Sequence, residues 1–239
     1  MRTDRINIIK INVAAAIFCA LAYASEYLFH VKVLFLTFDI KDSIIAVAAM
    51  IFGPVYAVMM GVGVALLESF TISDTGPYGF VMNVLSTVSF TAIASLIYRK
   101  LRTLYGAVLG FITGALAMTA VMMMANLFIT PYYMTANGTP TAMKDIAAMI
   151  PKLFLPFNLL KGIFNASLAM LMYKHVVNAL RRARILPRRV PTNGASVGGA
   201  VQGRAFVIRT VGVTVGAALV AAGAIFVLIF GLNAEITWF

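Results

Sequence analysis

Three features of the 239-residue sequence predict an all-α integral membrane protein. Hydrophobic residues make up 62% of the chain and charged residues only 11%, whereas soluble domains are usually about 45–50% apolar. Apolar runs that approach the roughly 20 residues of a membrane-spanning helix recur along the chain. Lys and Arg number 19 against 8 Asp and Glu, and they collect in short segments between the apolar runs. This pattern is typical of cytoplasmic membrane loops, so the expected partner is a lipid bilayer and not nucleic acid.

The first half of the chain predicts three helices and one hairpin. Helix one covers about 7–28, and because no clean small-residue cleavage site follows it, we interpret it as a span and not a signal peptide. The segment 29–40 is short and β-rich, which indicates a hairpin-like or re-entrant piece. Helix two covers about 41–53 and ends before Pro54, which lacks a backbone N–H. Helix three covers about 55–72, and with the short second helix it is expected to form a tilted pair.

Three further helices follow. The turn-rich segment SDTGPYG predicts that helix four begins only at about residue 79, and it extends to about 98. Helix five covers about 104–129 and is expected to end near Pro131. A loop at 132–147 contains the turn sequence NGTP, and helix six covers about 149–180. Together the six helices define an expected substrate-binding membrane domain at residues 1–182.

Basic residues orient this bundle. They form clusters before helix one, between helices four and five, and after helix six. An even number of crossings places all three clusters on one side, which the positive-inside rule assigns to the cytoplasm. The N-terminus is therefore expected in the cytoplasm of a multi-pass protein of the cell membrane.

The C-terminal part predicts an additional element. Residues 183–204 are rich in Gly, Pro and Arg, which is typical of a flexible cytoplasmic linker. Residues 205–232 are apolar again and predict a seventh transmembrane helix. If it spans the membrane, the C-terminus lies outside, with Trp238 as an interfacial anchor.

Lys161 is the most unusual residue of the sequence, because it lies near the centre of the apolar stretch 153–172. A charge at that depth costs about 2.5–3.5 kcal/mol on insertion scales. Asn158 lies three residues before it and Asn165 four after, so all three share one face of a helix. The stripe indicates a site for a polar solute. The alternative is a structural lysine that pairs with Glu68 or another carboxylate of the bundle.

Other polar residues allow two interpretations each. Asn126 in helix five either contacts a solute or makes a helix–helix hydrogen bond. Tyr132 either stacks on a solute or belongs to an aromatic belt at the membrane interface. Glu68 either pairs with Lys161 or closes the site. Asp39 and Asp42 flank the start of helix two, where at least one of them is expected to act through capping or the helix dipole.

Helix one carries small residues at four-residue spacing: Ala16, Ala20 and Ala24. Such a stripe packs either against another helix of the bundle or against a partner subunit. The sequence contains no nucleotide-binding, hydrolase or metal-ligand motif. We therefore expect no catalytic residue, no metal site and no enzymatic activity, and any ATP-driven transport would need another subunit.

Four stretches resemble the substrate-binding S components of energy-coupling factor (ECF) vitamin transporters, most closely the riboflavin-specific ones. They are FDIKDSIIAVAAMIFGPVYAVMMGVGVALLES, DTGPYGFVMN, ANLFITPYYM and LPFNLLKGIFNASL. The most specific part is L-P-F-N-x-x-K-G following N-x-x-x-x-P-x-Y-M. The seventh helix and its linker are not part of the six-helix family pattern.

The resemblance implies a six-helix bundle that holds riboflavin near the outer face as transported ligand, without a resident cofactor. It implies a membrane-embedded T component that contacts Ala16 and Ala20, and two ATPase subunits that use ATP. Lys161, Asn158 and Asn126 would bond the polar edge of the flavin. The remaining candidate substrate contacts are Glu68, Asp39, Thr75, Gly76, Asn83 and Tyr132. Two alternatives stay open: an S component for another vitamin or aromatic solute, and a structural membrane subunit that transports nothing.

Overall fold

The computed structural model describes residues 2–33, 36–72, 76–136, 139–183 and 185. Most of the predicted linker, the whole predicted seventh helix and Thr75 lie outside these residues. The described part is almost entirely helical, as expected for an all-α membrane protein.

The chain begins with a long helix and a hairpin. Helix α1 is Arg2–Leu28, so it starts five residues before the predicted boundary at residue 7. Strand β1 (His30–Val33) pairs antiparallel with strand β2 (Leu36–Asp39), and His30 lies opposite Asp39. The hairpin predicted for residues 29–40 is therefore confirmed.

The predicted pair of helices follows the hairpin. Helix α2 is Lys41–Phe52 and helix α3 is Pro54–Thr71. Gly53 separates them with φ 111°, a left-handed conformation that glycine adopts without steric strain. Pro54 occupies the first turn of α3, where its missing N–H removes no helical hydrogen bond.

The next two helices are both longer than predicted. Helix α4 is Gly76–Leu101, so the prediction that Gly76 to Gly79 belong to a loop is wrong. Pro77 fits the first helical turn, where its ring is tolerated. Helix α5 is Leu104–Tyr133 and contains Pro131. The helix ends two residues beyond Pro131, close to the predicted end, because a proline in the last turn removes only one hydrogen bond.

Between α5 and the last helix lies a small hairpin, in which strand β3 (Thr135–Ala136) pairs with strand β4 (Thr139–Pro140). Helix six was predicted as one continuous element and is instead divided. Helix α6 (Met143–Met149) leads through a π-helical turn (Ile150–Phe154) into helix α7 (Leu155–Arg182).

Two prolines account for this division. Pro151 lies in the π-helical turn and Pro156 in the first turn of α7. Each proline lacks the N–H that a regular helix would use, so the backbone widens locally. The division sets where α7 begins, and Lys161 then lies in its second turn.

Helix α2 forms the centre of the bundle. Its first ten residues, Lys41–Met50, are all buried, and α1, α3, α4 and α7 all pack against it. Helix α5 packs against α4 and α7. With 12 residues, α2 is about 18 Å long and does not reach across a hydrocarbon core of about 30 Å.

Five described segments are long and apolar enough to cross a membrane. They are Ile8–Leu28, Pro54–Thr71, Gly76–Leu101, Tyr105–Tyr132 and Met143–Arg182. Their outward faces carry many exposed aliphatic and aromatic side chains, which suits contact with lipid. The protein is therefore a multi-pass membrane protein.

The bundle has two chemically different ends. The N-terminus of α2 lies at the end that carries the β1–β2 hairpin and Lys161. The C-terminus of α2 lies at the other end, where the Arg99 guanidinium approaches Gly53. Arg181 and Arg182 end α7 some 20 residues beyond Lys161, about 30 Å along the helix axis. The polar residues at the hairpin end are therefore separated from the basic end by most of the bundle length.

Candidate functional site

Lys161 is buried in the bundle and holds the β1–β2 hairpin against α7. Its amino group donates to Asp39 Oδ2 at 2.6 Å and to the backbone carbonyl of Thr37 at 3.2 Å. Lys161 is 5% exposed and Asp39 1% exposed. The lysine therefore contacts strand β2 through both an ion pair and a backbone hydrogen bond.

Asn165, one turn further along α7, fastens the same strand to the start of α2. Its amide nitrogen donates to the backbone carbonyl of Asp39 at 3.0 Å. Its amide oxygen accepts from the Ser43 backbone N–H at 3.0 Å and from the Ser43 hydroxyl at 2.5 Å. The first N–H groups of a helix have no partner within the helix, so Asn165 caps α2 from a neighbouring helix.

For the two acidic residues, the structure shows no capping side chain at the N-cap but places Asp42 in the first turn of α2, where the helix dipole favours a negative charge as expected. The N-cap of α2 is Ile40, and no side chain caps this helix from that position. Asp39 ends β2 and pairs with Lys161 instead. Asp42 lies in the first turn of α2, and its carboxylate accepts from the Thr87 hydroxyl at 2.6 Å.

A second buried lysine lies beside the first pair. Lys41 donates to Glu68 Oε2 at 2.6 Å, and its amino group is 3.9 Å from both Glu26 Oε2 and Asp39 Oδ2. Glu68 also accepts from Asn83 Nδ2 at 2.9 Å. Glu68 therefore pairs with Lys41, and the predicted pairing of Glu68 with Lys161 is wrong.

These residues form one buried polar cluster, which we call the Lys161 cluster. It contains two amino groups and four carboxyl groups, and all six side chains are 5% exposed or less: Glu26, Asp39, Lys41, Asp42, Glu68 and Lys161. Within the described residues, three buried carboxyl oxygens have no hydrogen-bond partner: Asp39 Oδ1, Asp42 Oδ2 and Glu68 Oε1. Buried acceptors of this kind are uncommon in native proteins, so the cluster retains capacity to accept hydrogen bonds.

Asp39 lies at the electrostatic centre of the cluster. Burial by itself would raise the pKa of its carboxyl group, but the ammonium groups of Lys161 and Lys41 outweigh burial and hold that pKa below its usual range. Asp39 is therefore ionised at neutral pH.

An aromatic group borders the cluster. Phe38, next to Asp39 in β2, contacts Phe164 with ring centroids 4.9 Å apart and Phe157 at 6.2 Å. Both partners lie on α7 within four residues of Lys161. The site thus combines a buried cation with flat apolar surface.

The two predicted amide contacts are buried but bond mainly within their own helices. Asn158 is 2% exposed and donates to the Phe154 carbonyl at 2.8 Å. Asn126 is fully buried, donates to the Met122 carbonyl at 2.7 Å and accepts from Thr130 at 3.0 Å. Asn158 lies one turn before Lys161 on the same face of α7.

The remaining four predicted contacts do not all lie at the Lys161 cluster. Asn83 joins the Lys161 cluster through Glu68, whereas Tyr132 is 62% exposed on the bundle surface. Gly76 begins α4 with φ 55°. Thr75 lies outside the described residues.

The small-residue stripe of α1 faces outward. Ala16, Ala20 and Ala24 are all exposed, whereas Ala15 and Ala22 face the bundle core. Within the described chain, the stripe is therefore a flat exposed surface and not an internal packing face.

The sequence did not identify Lys41, Glu26 or Thr87 as site residues, and Asn165 was included in the polar stripe around Lys161 but not among the candidate substrate contacts. One signal for Lys41 was present, because Asp39, Lys41 and Asp42 lie just before the apolar run 44–52. A lysine between two acids at such a boundary indicates a buried ion pair.

Comparisons with known proteins identify the family to which this fold is similar. The family model of the ECF transporter substrate-specific component matches residues 10–173. The riboflavin transporter RibU of Staphylococcus aureus (strain TCH60) is 28% identical over 149 residues, which are 62% of this chain and 78% of that protein. A solved structure described as "Structure and mechanism of the S component of a bacterial ECF transporter" matches with a TM-score of 0.60 at 26% identity, covering 75% of this chain and 99% of the other.

The resemblance inferred from the four sequence stretches is therefore confirmed at the level of the family. The match covers well over half of the chain and includes every residue of the Lys161 cluster. The chain belongs to the family of ECF transporter substrate-specific components, which are transport proteins and not enzymes.

Proposed function

We propose that this chain binds riboflavin and acts as the riboflavin-specific S component of an ECF transporter. The observation that carries the proposal is the buried Lys161 cluster, which lies within the region matched by the family and beside aromatic surface. The similarity to the riboflavin transporter RibU of Staphylococcus aureus directs the choice of ligand.

The chemistry of riboflavin suits the cluster. The pyrimidine-like edge of its ring system carries carbonyl and imide groups, which pair with ammonium and amide groups. In the proposal, Lys161, Asn158 and Asn126 bond this edge. The phenylalanine rings beside Lys161 contact the apolar part of the ring system.

The ribityl chain of riboflavin carries several hydroxyl groups. The buried oxygens Asp39 Oδ1 and Glu68 Oε1 have no hydrogen-bond partner among the described residues and are suited to accept from hydroxyls. Asn83 extends the same polar surface through Glu68. We therefore retain Asp39, Glu68 and Asn83 as substrate-binding residues, together with Gly76 at the start of α4 and Thr75, which precedes it in the sequence. Tyr132 remains a proposed contact at the rim.

Transport in this proposal proceeds from the hairpin end toward the basic end. The basic residues that end α4 and α7 favour the cytoplasm. In this orientation the Lys161 cluster would lie near the outer face and the N-terminus inside. Six membrane helices result when α2 is counted with the five long spans, and residues 205–232 would add a seventh. A T component and two ATPase subunits would drive uptake, with the exposed alanine stripe of α1 as the contact surface.

Ligand binding by the purified protein tests the proposal. The detergent-solubilised chain is titrated with riboflavin, and quenching of flavin fluorescence reports binding. Titrations with riboflavin phosphate and with unrelated vitamins establish selectivity. We expect saturable quenching by riboflavin and no competition from non-flavin vitamins.

Two other results would assign a different role. Saturable binding of another vitamin without riboflavin binding would support an S component for a different solute. Folded protein that binds none of these compounds would contradict the proposal and favour a structural subunit, in which Lys161 serves only to pair with Asp39.

A further inference from the structure

Lys41 occupies an unusual position between two ion pairs. Its amino group bonds Glu68 Oε2 at 2.6 Å and lies 3.9 Å from Asp39 Oδ2. The same Asp39 oxygen accepts from Lys161 at 2.6 Å. One carboxylate oxygen is thus bonded by one lysine and approached by a second.

The position of Lys41 matters for the charge balance of Asp39. Asp39 is 1% exposed, and a buried carboxylate that loses its only cation is strongly unfavourable. Lys161 has three N–H donors, of which Asp39 and the Thr37 carbonyl take two. When a ligand carbonyl takes the donor that now bonds Asp39, this carboxylate loses its partner at 2.6 Å. Among the described residues, Lys41 is the other cation whose amino group lies within 4.0 Å of Asp39.

The contacts of Lys41 would allow it to replace Lys161 as the hydrogen-bonded cation of Asp39. A shift of about 1 Å would bring its amino group into hydrogen-bond range of Asp39 Oδ2. Glu68 would keep a donor meanwhile, because Asn83 Nδ2 bonds the same Glu68 oxygen at 2.9 Å. Lys41 is the first residue of α2 and is 2% exposed, so solvent cannot substitute for it.

We infer that Lys41 is a positioning residue that supplies the counter-charge of Asp39 when Lys161 engages the ligand. The inference rests on the proposed function, because it assumes that Lys161 donates to bound riboflavin. It assigns to Lys41 an effect on ligand affinity that passes through Asp39 and needs no contact between Lys41 and the ligand.

A mutant cycle separates this role from a structural one. Because Lys41→Met alone would leave Glu68 buried without its lysine, all variants carry Glu68→Gln. Riboflavin affinity is measured by fluorescence quenching for Glu68→Gln alone and after adding Lys41→Met, Asp39→Asn or both. Thermal unfolding of each variant reports folding, and Lys174→Met in the same background provides an exposed-lysine control.

The expected result is a strong coupling between positions 39 and 41. Lys41→Met should weaken riboflavin binding by about tenfold or more when Asp39 is present, because Lys161 is then the sole counter-charge of Asp39. In the Asp39→Asn background, where no charge needs compensation, the same substitution should change affinity by less than about threefold.

Two outcomes are distinguishable. An equal loss of affinity from Lys41→Met in both backgrounds, or no loss in either, would overturn the role of Lys41 while riboflavin binding by the parent protein still supports the proposed function. Failure of the folded wild-type chain to bind riboflavin would overturn the proposed function and this inference with it.

Discussion

At the scale of single residues, both buried lysines of the cluster lie beside carboxylates. Lys161 is not an isolated charge in an apolar helix, because Asp39 of the hairpin meets it at 2.6 Å. An unpaired charge there would be costly, and this pairing reduces the penalty. The same contact holds the β1–β2 hairpin against α7. Lys161, the proposed ligand contact, therefore also positions the hairpin beside the site.

Asn165 is expected to stabilise the fold more than its size suggests. Asn165→Ala would leave the buried hydroxyl of Ser43 without its acceptor, would remove one of the two acceptors of the Ser43 backbone N–H, and would remove a donor from the Asp39 carbonyl. Loss of buried partners of this kind costs about 1–3 kcal/mol. Thermal unfolding in detergent should therefore show a lower midpoint for this variant. Asn178→Ala, at an exposed position of the same helix, should unfold like the wild type, and equal midpoints for both variants would contradict the capping role.

The pKa of Asp39 gives the stability of the cluster a defined pH dependence. Since that pKa is lowered in the folded protein, the stabilisation by the Asp39 carboxylate is complete above its unfolded pKa of about 3.9 and is lost as the pH falls through the folded pKa. The stability difference between wild type and Asp39→Asn should therefore stay constant from about pH 8 to pH 5. A difference that already decreases between pH 7 and pH 5 would contradict a lowered pKa.

At the scale of helices, two glycines determine how closely α4 and α5 approach. A Cβ atom at Gly110 would lie 2.6 Å from the Ala94 carbonyl oxygen, and one at Gly114 would lie 2.6 Å from the Phe90 carbonyl oxygen. Both obstacles are backbone atoms of α4, which cannot move without displacing the helix. Small residues four apart allow such close packing in membranes.

Alanine at either glycine is therefore expected to separate α4 from α5. Gly110→Ala and Gly114→Ala should each destabilise the protein by about 1–3 kcal/mol, as overpacking does elsewhere. Gly63→Ala in α3 is the matched control, because nothing lies within 4 Å of its added Cβ. Thermal unfolding compares the three variants, and a control that loses as much stability as the others would contradict steric overpacking as the cause.

The helices were predictable from the sequence where apolar runs end at clear breaks. Gly53 and Pro54 fixed the boundary between α2 and α3, and the β-rich segment before α2 predicted the hairpin. The predictions were less accurate where prolines are tolerated. Pro77 and Pro131 lie within the first and last turns of their helices, and Pro151 lies in a π-helical turn that divides the sixth helix, which was predicted as continuous.

The site was predictable only in part, and distance along the chain is the reason. Lys161 was identifiable because one charge in an apolar stretch is a local signal. Its partner Asp39 lies 122 residues away, and Lys41 is 27 residues from Glu68. No local pattern selects Asp39 over Glu68 as the partner of Lys161, because that choice depends on how α2, α3 and α7 pack.

At the scale of the whole molecule, the alanine stripe faces outward on α1, whereas the Lys161 cluster is buried inside the bundle. The alanine stripe of α1 is exposed, and its small side chains would allow a partner helix to pack closely against it. The proposed partner surface is thus separate from the Lys161 cluster. Substitutions on the stripe are expected to affect assembly without affecting ligand binding.

Ala20→Leu tests this separation. The larger side chain should prevent close packing of a partner helix and abolish co-purification with a co-expressed T component, while riboflavin affinity remains at the wild-type value. Ala120→Leu provides the control, since Ala120 is exposed on α5 outside the stripe. Normal co-purification of Ala20→Leu would exclude the stripe as the partner surface.

Riboflavin titration of the Asp39→Asn, Lys161→Met double variant, compared with Asp39→Asn alone, tests the central claim that Lys161 binds the ligand. The double variant removes both charges of the pair, so neither is left buried alone, and it should fold. If Lys161 donates to riboflavin, affinity should fall by at least about 100-fold relative to Asp39→Asn, in line with the loss of a charged hydrogen bond. Equal affinities of the folded double variant and Asp39→Asn would show that Lys161 serves only the ion pair and would contradict the account.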